Sequence, residues 1–275
     1  MSAIIRRMIP AANLTLLYGQ LPIEARFEAA ARDGFRAVEI LYPYDRSPAW
    51  YAARLREFEL ELALINTPVD ADAAPVGRAA QCGETENFRN DFALAAAVCE
   101  ATGCRAVHVM AGPARPSATS AALIENLSWA TQAHPQLTLQ LEALNAHDMP
   151  GYFYCEPAAV RRILEEARLP NVGMQFDFFH VVRQGLDLCA ELKASLPWIR
   201  HVQVAGSPAR NEPDLSRDHL LAGFEYLHRA GYRGYVGYEY RPAAAAADGL
   251  KWADELFTFF SYQRAGKVPR NLDHS

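Results

Sequence analysis

The stretch EPAAVRRILEEARLPNVGMQFD, residues 156–177, contains one complete unit of the fold, a helix followed by a strand. The helical pattern begins at an acidic residue and a proline and stops at Asn171, as helix ends usually do. The strand, VGMQFD, is a short apolar run that ends in the acidic Asp177. This unit therefore predicts a strand that carries the carboxylate of Asp177 at its C-terminal end.

The same unit recurs along the whole chain. Amphipathic helical patterns separate short apolar runs, with no composition shift or linker between them. Eight such units in a row predict an α/β fold, a single (β/α)8 TIM barrel that occupies residues 1–275 as one domain. A doubly wound sheet is the alternative, but regular repeats with polar strand ends fit a closed barrel better. The predicted strands are Ile9–Asn13, Ala37–Leu41, Leu60–Asn66, Ala106–Met110, Leu137–Glu142, Val172–Asp177, His201–Ala205 and Tyr235–Tyr240.

The composition is that of a globular enzyme. The 275 residues are 51% hydrophobic and 21% charged, with a formal net charge of -5. An acidic chain does not attract polyanions as a whole, so we expect a small-molecule substrate and no nucleic-acid partner. The sequence leaves open whether the protein is a monomer or a homo-oligomer.

Targeting and cofactor motifs are missing from the sequence. The N-terminal MSAIIRRMIPAANL lacks the apolar core of a signal peptide, and no run approaches the ~18 apolar residues of a membrane span. Five widely spaced cysteines without a CxxC pair argue against a disulfide framework or a zinc ribbon. No GxGxxG, Walker A, GxSxG or HExxH motif is present. We therefore expect a cytoplasmic protein without a membrane partner.

Four polar residues end the last four predicted strands: Glu142, Asp177, Gln203 and Glu239. In a parallel barrel these strand ends converge on one pocket. Two Glu, one Asp and one Gln form an oxygen-rich site that suits a divalent cation, and Mg²⁺ or Mn²⁺ is expected. The same glutamates could move protons.

Each residue also has a structural interpretation. A lone Glu at a strand end can form a salt bridge with an Arg at the barrel rim, and Gln203 can belong to a buried hydrogen-bonded layer. Convergence of four such residues makes the structural interpretation weaker. His201, two residues before Gln203, lies one layer deeper on the same face, where core packing is the simpler account.

Other polar residues near the strand ends are candidates for substrate binding. His180, three residues after Asp177, could donate a hydrogen bond to substrate, and His108 on the fourth strand could instead fill the barrel interior. Asp148 lies on a loop of the catalytic face. Asn66, like Asn13 and Glu39, ends an earlier strand, where lining the opposite wall and rim hydrogen bonding are both open.

Several segments resemble the hydroxypyruvate isomerase family of the xylose-isomerase-like sugar isomerases and epimerases, and they extend over nearly the whole chain in matching order. They are AANLTLLYGQLPIEARFEAAARDGFRAVEILYPYD, LALINTP, LEALNAHDMPGYFY, QFDFFH, HVQVAGSPARNEP and GYVGYEYRPA. The resemblance implies a TIM barrel whose metal ligands fall on Glu142, Asp177, Gln203 and Glu239. It also places the family's Asp-x-x-His histidine on His180 and its loop arginine on Arg210.

The chain departs from the family pattern in its loops. Gly206, Ala209 and Asn211 stand where the family usually has Asp, Gly and His, and His147 replaces an Arg. The expected ligand set is intact while the substrate-facing loops differ. Fold and reaction type therefore carry over more safely than substrate identity.

The function we expect is isomerisation of a small hydroxy or keto acid, such as hydroxypyruvate or a 2-oxo-tetronate. Glu142 and Glu239 would be the catalytic residues, and His180, Arg210, Asp148, Asn66 and His108 would bind substrate. A ketose 3-epimerase is the nearest alternative, although such relatives usually have His where Gln203 stands. An endonuclease for abasic DNA would need additional histidines for a multi-zinc cluster. A non-catalytic sugar-acid binding protein remains a candidate from another class.

Overall fold

The strands close into a barrel in the computed structural model, which describes residues 8–264. Each strand pairs in parallel with the next along the chain, and β1 pairs with β8. The predicted (β/α)8 barrel is confirmed, and a doubly wound open sheet is excluded. The strands are β1 Ile9–Asn13, β2 Ala37–Ile40, β3 Glu61–Asn66, β4 Ala106–His108, β5 Thr138–Glu142, β6 Val172–Asp177, β7 Ile199–Val204 and β8 Tyr235–Tyr238.

Helices surround the barrel. Two of them, α6 and α7, lie between β6 and β7, and a 3₁₀ turn at Asp248–Leu250 precedes the last helix. The α-helices are α1 Ile23–Arg32, α2 Pro48–Glu57, α3 Thr85–Thr102, α4 Ser120–Ala133, α5 Pro157–Ala167, α6 Phe178–Arg183, α7 Leu188–Ser195, α8 Leu220–Arg229 and α9 Lys251–Arg264.

Helix α5 shows how the sequence produces these elements. Pro157 occupies the first turn, where its missing N–H has no helical partner to lose. Val160, Ile163 and Leu164 follow at helical spacing and form the buried stripe. The helix ends at Ala167 and is capped by Arg168, which adopts a left-handed conformation with φ of 50°. The pattern read from the sequence therefore specifies both the helix and its inward face.

The core has two zones with different chemistry. Outward-facing strand residues such as Val107, Leu139 and Val202 are buried against the helices and form an apolar shell. A separate cluster of Ala11, Ala37 and Ala63, with Tyr235 against it, packs within the barrel. Barrel interiors are usually filled by bulky branched residues. Here small and polar side chains leave room for buried carboxylates.

Gly237 of β8 shows how tight that interior is. A Cβ atom at this position would overlap the carboxylate of Glu39, which reaches Gly237 from β2, two strands away. Glycine is therefore required at position 237 by the close approach of Glu39. The prediction left open whether Glu39 makes rim hydrogen bonds, but the structure buries it completely inside the barrel.

Candidate active site

The four predicted ligands lie at the C-terminal ends of four adjacent strands. Glu142 ends β5, Asp177 ends β6, Gln203 is the penultimate residue of β7, and Glu239 directly follows β8. All four are buried, with exposed fractions of 4%, 2%, 0% and 5%. The register pairs Asp177 with Gln203 across β6 and β7. The strand ends thus converge as a parallel barrel requires.

Three carboxylates of this group each have an oxygen without a hydrogen-bond partner. Within residues 8–264, no donor satisfies Glu142 Oε1, Asp177 Oδ2 or Glu239 Oε2, although all three atoms are buried. Buried polar atoms in folded proteins are nearly always paired, so each exception requires an explanation. A set of hard oxygen donors lacking partners fits a divalent cation.

Burial and mutual repulsion raise the pKa values of these carboxyl groups. Burial raises the pKa of Glu142 well above its ordinary value, and Glu239 and Asp177 add to the rise. Burial likewise raises the pKa of Glu239 to about 8 and that of Asp177 to about 6, against the opposing charge of Arg210. Carboxyls in this state bind either protons or a cation, which is the behaviour expected of proton-transfer and metal-binding groups.

Arg210 lies across the carboxylates from the loop after β7. Its Nη2 is 3.0 Å from Glu239 Oε1 and 3.6 Å from Asp177 Oδ2, and the guanidinium stacks 4.9 Å from the Phe179 ring. The Arg210 Nε donates to the Glu239 carbonyl, and the Arg210 carbonyl accepts from the Arg241 N–H. The loop is therefore attached to the segment that carries Glu239, and its cation faces the acidic cluster.

The loop of Arg210 has its own backbone constraint. The N–H of Gly206 donates to the Asn211 carbonyl and closes the loop. A Cβ atom on Gly206 would overlap the Glu212 carbonyl oxygen. Gly206, which stands where the resembling family usually has Asp, is therefore required by the conformation of this chain's loop.

His180 lies in the first turn of α6 and points into the same space. Its Nε2 is 3.7 Å from Asp177 Oδ2 and 3.9 Å from Glu142 Oε1. Its Nδ1 accepts from the backbone N–H of Asn145 at 3.0 Å. Burial, together with Arg210, lowers the pKa of His180 well below its ordinary value, so the ring is neutral.

His108 adjoins the same glutamate from β4. Its Nδ1 lies 3.3 Å from Glu142 Oε2. Burial lowers the pKa of His108 to about 3, so this ring is also neutral at physiological pH. The structure brings His108 to the cluster and places it against Glu142.

Asn66 and Asp148 contact residues other than the four predicted ligands. Asn66 ends β3 with a buried Oδ1 that lacks a partner among the described residues, and its carbonyl accepts from Tyr44. Asp148 accepts from Asn145 Nδ2 at 3.0 Å and lies 3.4 Å from Arg183 Nε. Asp148 therefore reaches the site through Asn145. The substrate-binding roles predicted for both residues stay predictions.

Sequence reasoning missed Gln175, which connects the predicted residues. Its Nε2 donates to Glu142 Oε2 at 2.7 Å and to Gln203 Oε1 at 2.6 Å. Gln203 Nε2 in turn donates to Glu39 Oε2 at 2.9 Å. Gln203 therefore donates through Nε2 to Glu39, and its Oε1 accepts from Gln175. Gln175 lies two residues before Asp177, so strand periodicity alone would have placed it on the inner face.

Distance alone defines a slightly different ligand set. Glu142, Asp177 and His180 each offer one ligand atom within 4.8 Å of the others. Glu239 joins this group through Arg210, which contacts both Glu239 and Asp177. The two sets share Glu142 and Asp177.

Comparison with known proteins places this barrel in a family. Residues 27–256 match the xylose isomerase-like TIM barrel family. The 2-oxo-tetronate isomerase of Cupriavidus necator is 38% identical over 249 residues, which cover 88% of this chain and 96% of that protein. The hydroxypyruvate isomerase of Escherichia coli is 31% identical over 253 residues, covering 88% and 97%. The crystal structure of AP endonuclease, family 2, from Brucella melitensis is 33% identical, covers 90% of this chain and 98% of that chain, and has a TM-score of 0.84.

The chain therefore belongs to the xylose isomerase-like TIM barrel family. Since relatives matched over nearly their whole length are isomerases, the protein is an enzyme of the isomerase class. The resemblance read from the sequence is confirmed at this level. Across residues 8–264, none of the helices has the length and apolar character needed to span a membrane.

Proposed function

We propose that the protein is a divalent-metal-dependent isomerase of small hydroxy or keto acids, with hydroxypyruvate and 2-oxo-tetronate as the first candidates. The observation that supports this most directly is the set of unpartnered buried oxygens on Glu142, Asp177 and Glu239. The names of the relatives from Cupriavidus necator and Escherichia coli support the substrate class. The proposal combines the acidic pocket of this chain with the substrates named for its isomerase relatives.

Glu142, Asp177, Gln203 and Glu239 would hold the metal, and Mg²⁺ or Mn²⁺ suits their oxygen donors. When bound, such a cation polarises the substrate carbonyl and acidifies the adjacent C–H. Gln203 brings an amide oxygen already directed away from Glu39, since its nitrogen donates to that residue. The residues present therefore fit the group that the family resemblance implies.

Glu142 and Glu239 carry the proton in this proposal. One carboxylate removes the proton from the carbon that bears the hydroxyl, and the same or the other glutamate returns a proton to the former carbonyl carbon. The hydroxyl proton moves to the other oxygen, so the product is an isomer and atoms balance. In the metal-free protein burial raises the pKa of Glu239 to about 8, so this carboxyl can bind a proton near neutral pH.

Arg210 and His180 orient the substrate. The Arg210 guanidinium is fixed by Phe179 and by the Glu239 backbone, and it can pair with a substrate carboxylate through two parallel hydrogen bonds. The imidazole of His180 directs Nε2 into the same space. A hydroxy acid offers a carboxylate to the first and an oxygen to the second.

The test is isomerisation in D₂O followed by NMR. Full-length protein with Mg²⁺ or Mn²⁺ is incubated with hydroxypyruvate, 2-oxo-tetronate or a free ketose. We expect isomerisation of one acid with deuterium entering the carbon that gains the proton, and loss of both in Glu142→Gln and Glu239→Gln. Glu57→Gln, an exposed glutamate of α2, is the matched control and should react like wild type.

The outcomes separate the alternatives. Reaction of a free ketose alone would indicate a 3-epimerase, and binding without deuterium exchange would indicate a binding protein. Either result, or normal turnover by both glutamine variants, would refute the proposed function. Cleavage of abasic duplex DNA without turnover of either acid would refute it in favour of an endonuclease.

A further inference from the structure

The Nδ1 atom of His180 is surrounded by hydrogen-bond donors. The backbone N–H of Asn145 lies 3.0 Å away and the Asn145 side-chain Nδ2 lies 2.7 Å away. A backbone N–H can only donate, so Nδ1 must offer its lone pair. The single proton of the neutral ring is therefore on Nε2.

The Asn145 side chain is itself fixed in orientation. Asn145 is fully buried, and its Oδ1 accepts from the backbone N–H groups of His147 and Asp148 at 3.1 and 3.0 Å. Its Nδ2 donates to Asp148 Oδ2 at 3.0 Å as well as facing His180. A reversed amide would set its nitrogen against two N–H groups and its oxygen against a carboxylate. The neighbours thus determine which atom faces the histidine.

The Nε2–H edge of the imidazole ring points into the acidic pocket. Nε2 lies 3.7 Å from Asp177 Oδ2 and 3.9 Å from Glu142 Oε1, both beyond hydrogen-bonding distance. We propose that Asn145 is a positioning residue that holds His180 in the neutral Nε2–H form, which makes this histidine a hydrogen-bond donor to a substrate oxygen. The substrate part of this inference rests on the proposed function; the tautomer does not.

The inference also settles the composition of the ligand set. By distance alone, His180 belongs with Glu142 and Asp177 as a metal ligand. A nitrogen that carries a proton has no lone pair for a metal, and Nδ1 is already engaged by Asn145. His180 is therefore excluded from the ligand set, and the cation is left to oxygen donors.

The tautomer can be read directly by NMR of the full chain. Protein with ¹⁵N-labelled histidine is recorded by long-range ¹H–¹⁵N correlation without metal or substrate, and His180→Gln identifies the His180 signals. We expect a protonated, pyrrole-type Nε2 and an unprotonated, pyridine-type Nδ1. Addition of Mg²⁺ should leave the Nε2 proton in place. Protonated Nδ1, or loss of the Nε2 proton when Mg²⁺ is added, would overturn the inference.

The substitution Asn145→Asp removes the side-chain donor to His180 and keeps the acceptor for the His147 and Asp148 N–H groups. The aspartate can still accept from the His147 and Asp148 N–H groups, but it presents an oxygen to His180 Nδ1. The variant Asn145→Asp/Asp148→Asn restores a donor–acceptor pair between positions 145 and 148 and avoids adjacent carboxylates. In both variants the backbone N–H of residue 145 still donates to Nδ1 but the side chain no longer does, so the Nδ1 signal is expected to move from its wild-type position, and kcat to fall roughly tenfold.

The two proposals fail separately. An unchanged Nδ1 signal in folded Asn145→Asp would show that the side chain does not set the tautomer and would overturn the role of Asn145. If both variants fail to fold, the wild-type spectrum alone decides. A wild-type protein with the Nε2–H form but no isomerase activity would refute the proposed function and still support the positioning role.

Discussion

Glu39 and Glu239 are both glutamates buried inside the barrel, yet their surroundings are opposite. Glu39 Oε2 accepts from Asn13 Nδ2 at 3.1 Å and from Gln203 Nε2 at 2.9 Å, and its Oε1 contacts His201 Nε2. Glu239 has Arg210 at one oxygen and no hydrogen-bond partner at the other among the described residues. One carboxylate is completely paired, and the other is not.

The difference separates a carboxylate that the barrel satisfies from one that we propose to be functional. A buried charge costs several kcal/mol unless hydrogen bonds or counter-charges offset it. The barrel supplies them for Glu39, so the same fold can satisfy a buried glutamate. Among the buried carboxylates of residues 8–264, Glu39 is paired at both oxygens, whereas Glu142, Asp177 and Glu239 each leave one oxygen unpaired, as functional sites often do. Four experiments can break or sharpen this contrast.

The largest effect is expected on catalysis. Glu142→Gln or Glu239→Gln should lower kcat by about 10²–10⁴-fold, because a positioned base contributes about that much. The amide keeps the shape and removes the proton-transfer group. Turnover is measured with each acid substrate and compared with Glu57→Gln. Activity within about twofold of wild type in both variants would show that the unpaired glutamates do not carry the reaction.

The next effect is on stability, where we expect the substitution at Glu39 to cost more than the substitution at Glu239. Glu39→Leu should lower the free energy of unfolding by about 3–5 kcal/mol, because Asn13, Gln203 and His201 lose their common acceptor. Glu239→Gln should cost less than about 1 kcal/mol, or stabilise, in metal-free protein. Urea unfolding in EDTA compares the two. Equal losses would contradict the distinction between paired and unpaired glutamates.

The third effect is a pH dependence of the metal-free protein. Folding raises the pKa of Glu239 from 4.5 to about 8, so the folded chain holds a proton that the unfolded chain releases. Stability should therefore fall as pH rises between these values. A divalent cation replaces such protons, so its stabilising effect should be larger at about pH 8 than at about pH 5.5.

At a metal concentration of 100 times Kd, the gain at the higher pH is expected to be about 2.7 kcal/mol. Urea unfolding with Mn²⁺ or EDTA at both pH values measures it. The Glu142→Gln/Glu239→Gln double variant should lose most of the gain. A gain that is the same at both pH values, or that survives in the double variant, would argue against these carboxyls as the cation site.

The smallest effect tests the packing around Glu39. Gly237→Ala places a Cβ against the Glu39 carboxylate and should cost about 1–3 kcal/mol. In the background of Glu39→Ala the same substitution enters vacated space, so its cost should nearly disappear. A double-mutant cycle by urea unfolding gives the coupling. Additive losses would show that Gly237 is not there to accommodate Glu39.

The sequence predicted the fold to within a few residues. β1 and β6 have the predicted bounds, while the predicted β4 extended to Met110 and the strand ends at His108. Strands buried on both faces read as continuous apolar runs, so their existence is clear. Their ends depend on hydrogen bonds to neighbouring strands, which a single apolar run does not encode.

The site was predictable where it depended on strand ends and less so where it depended on cross-strand contacts. Glu142, Asp177 and Glu239 converge because parallel strands finish at one face. Gln175 was missed although its spacing from Asp177 placed it inside. The link from Gln175 to Gln203 and Glu39, and the contact of Asn145 with His180, join residues far apart in the chain. Such contacts follow from the three-dimensional register.

The attachment of the Arg210 loop to the Glu239 segment has a consequence for engineering new specificity. Because Arg210 is hydrogen-bonded to the backbone of Glu239 and Arg241, a transplanted loop 206–217 would also displace Glu239, the proposed proton-transfer residue. If the proposed roles of Arg210 and Glu239 hold, a change in this loop alters substrate range and reaction rate together. Redesign of one should include positions 239–241, so that the grafted loop and the strand terminus are exchanged as one cassette.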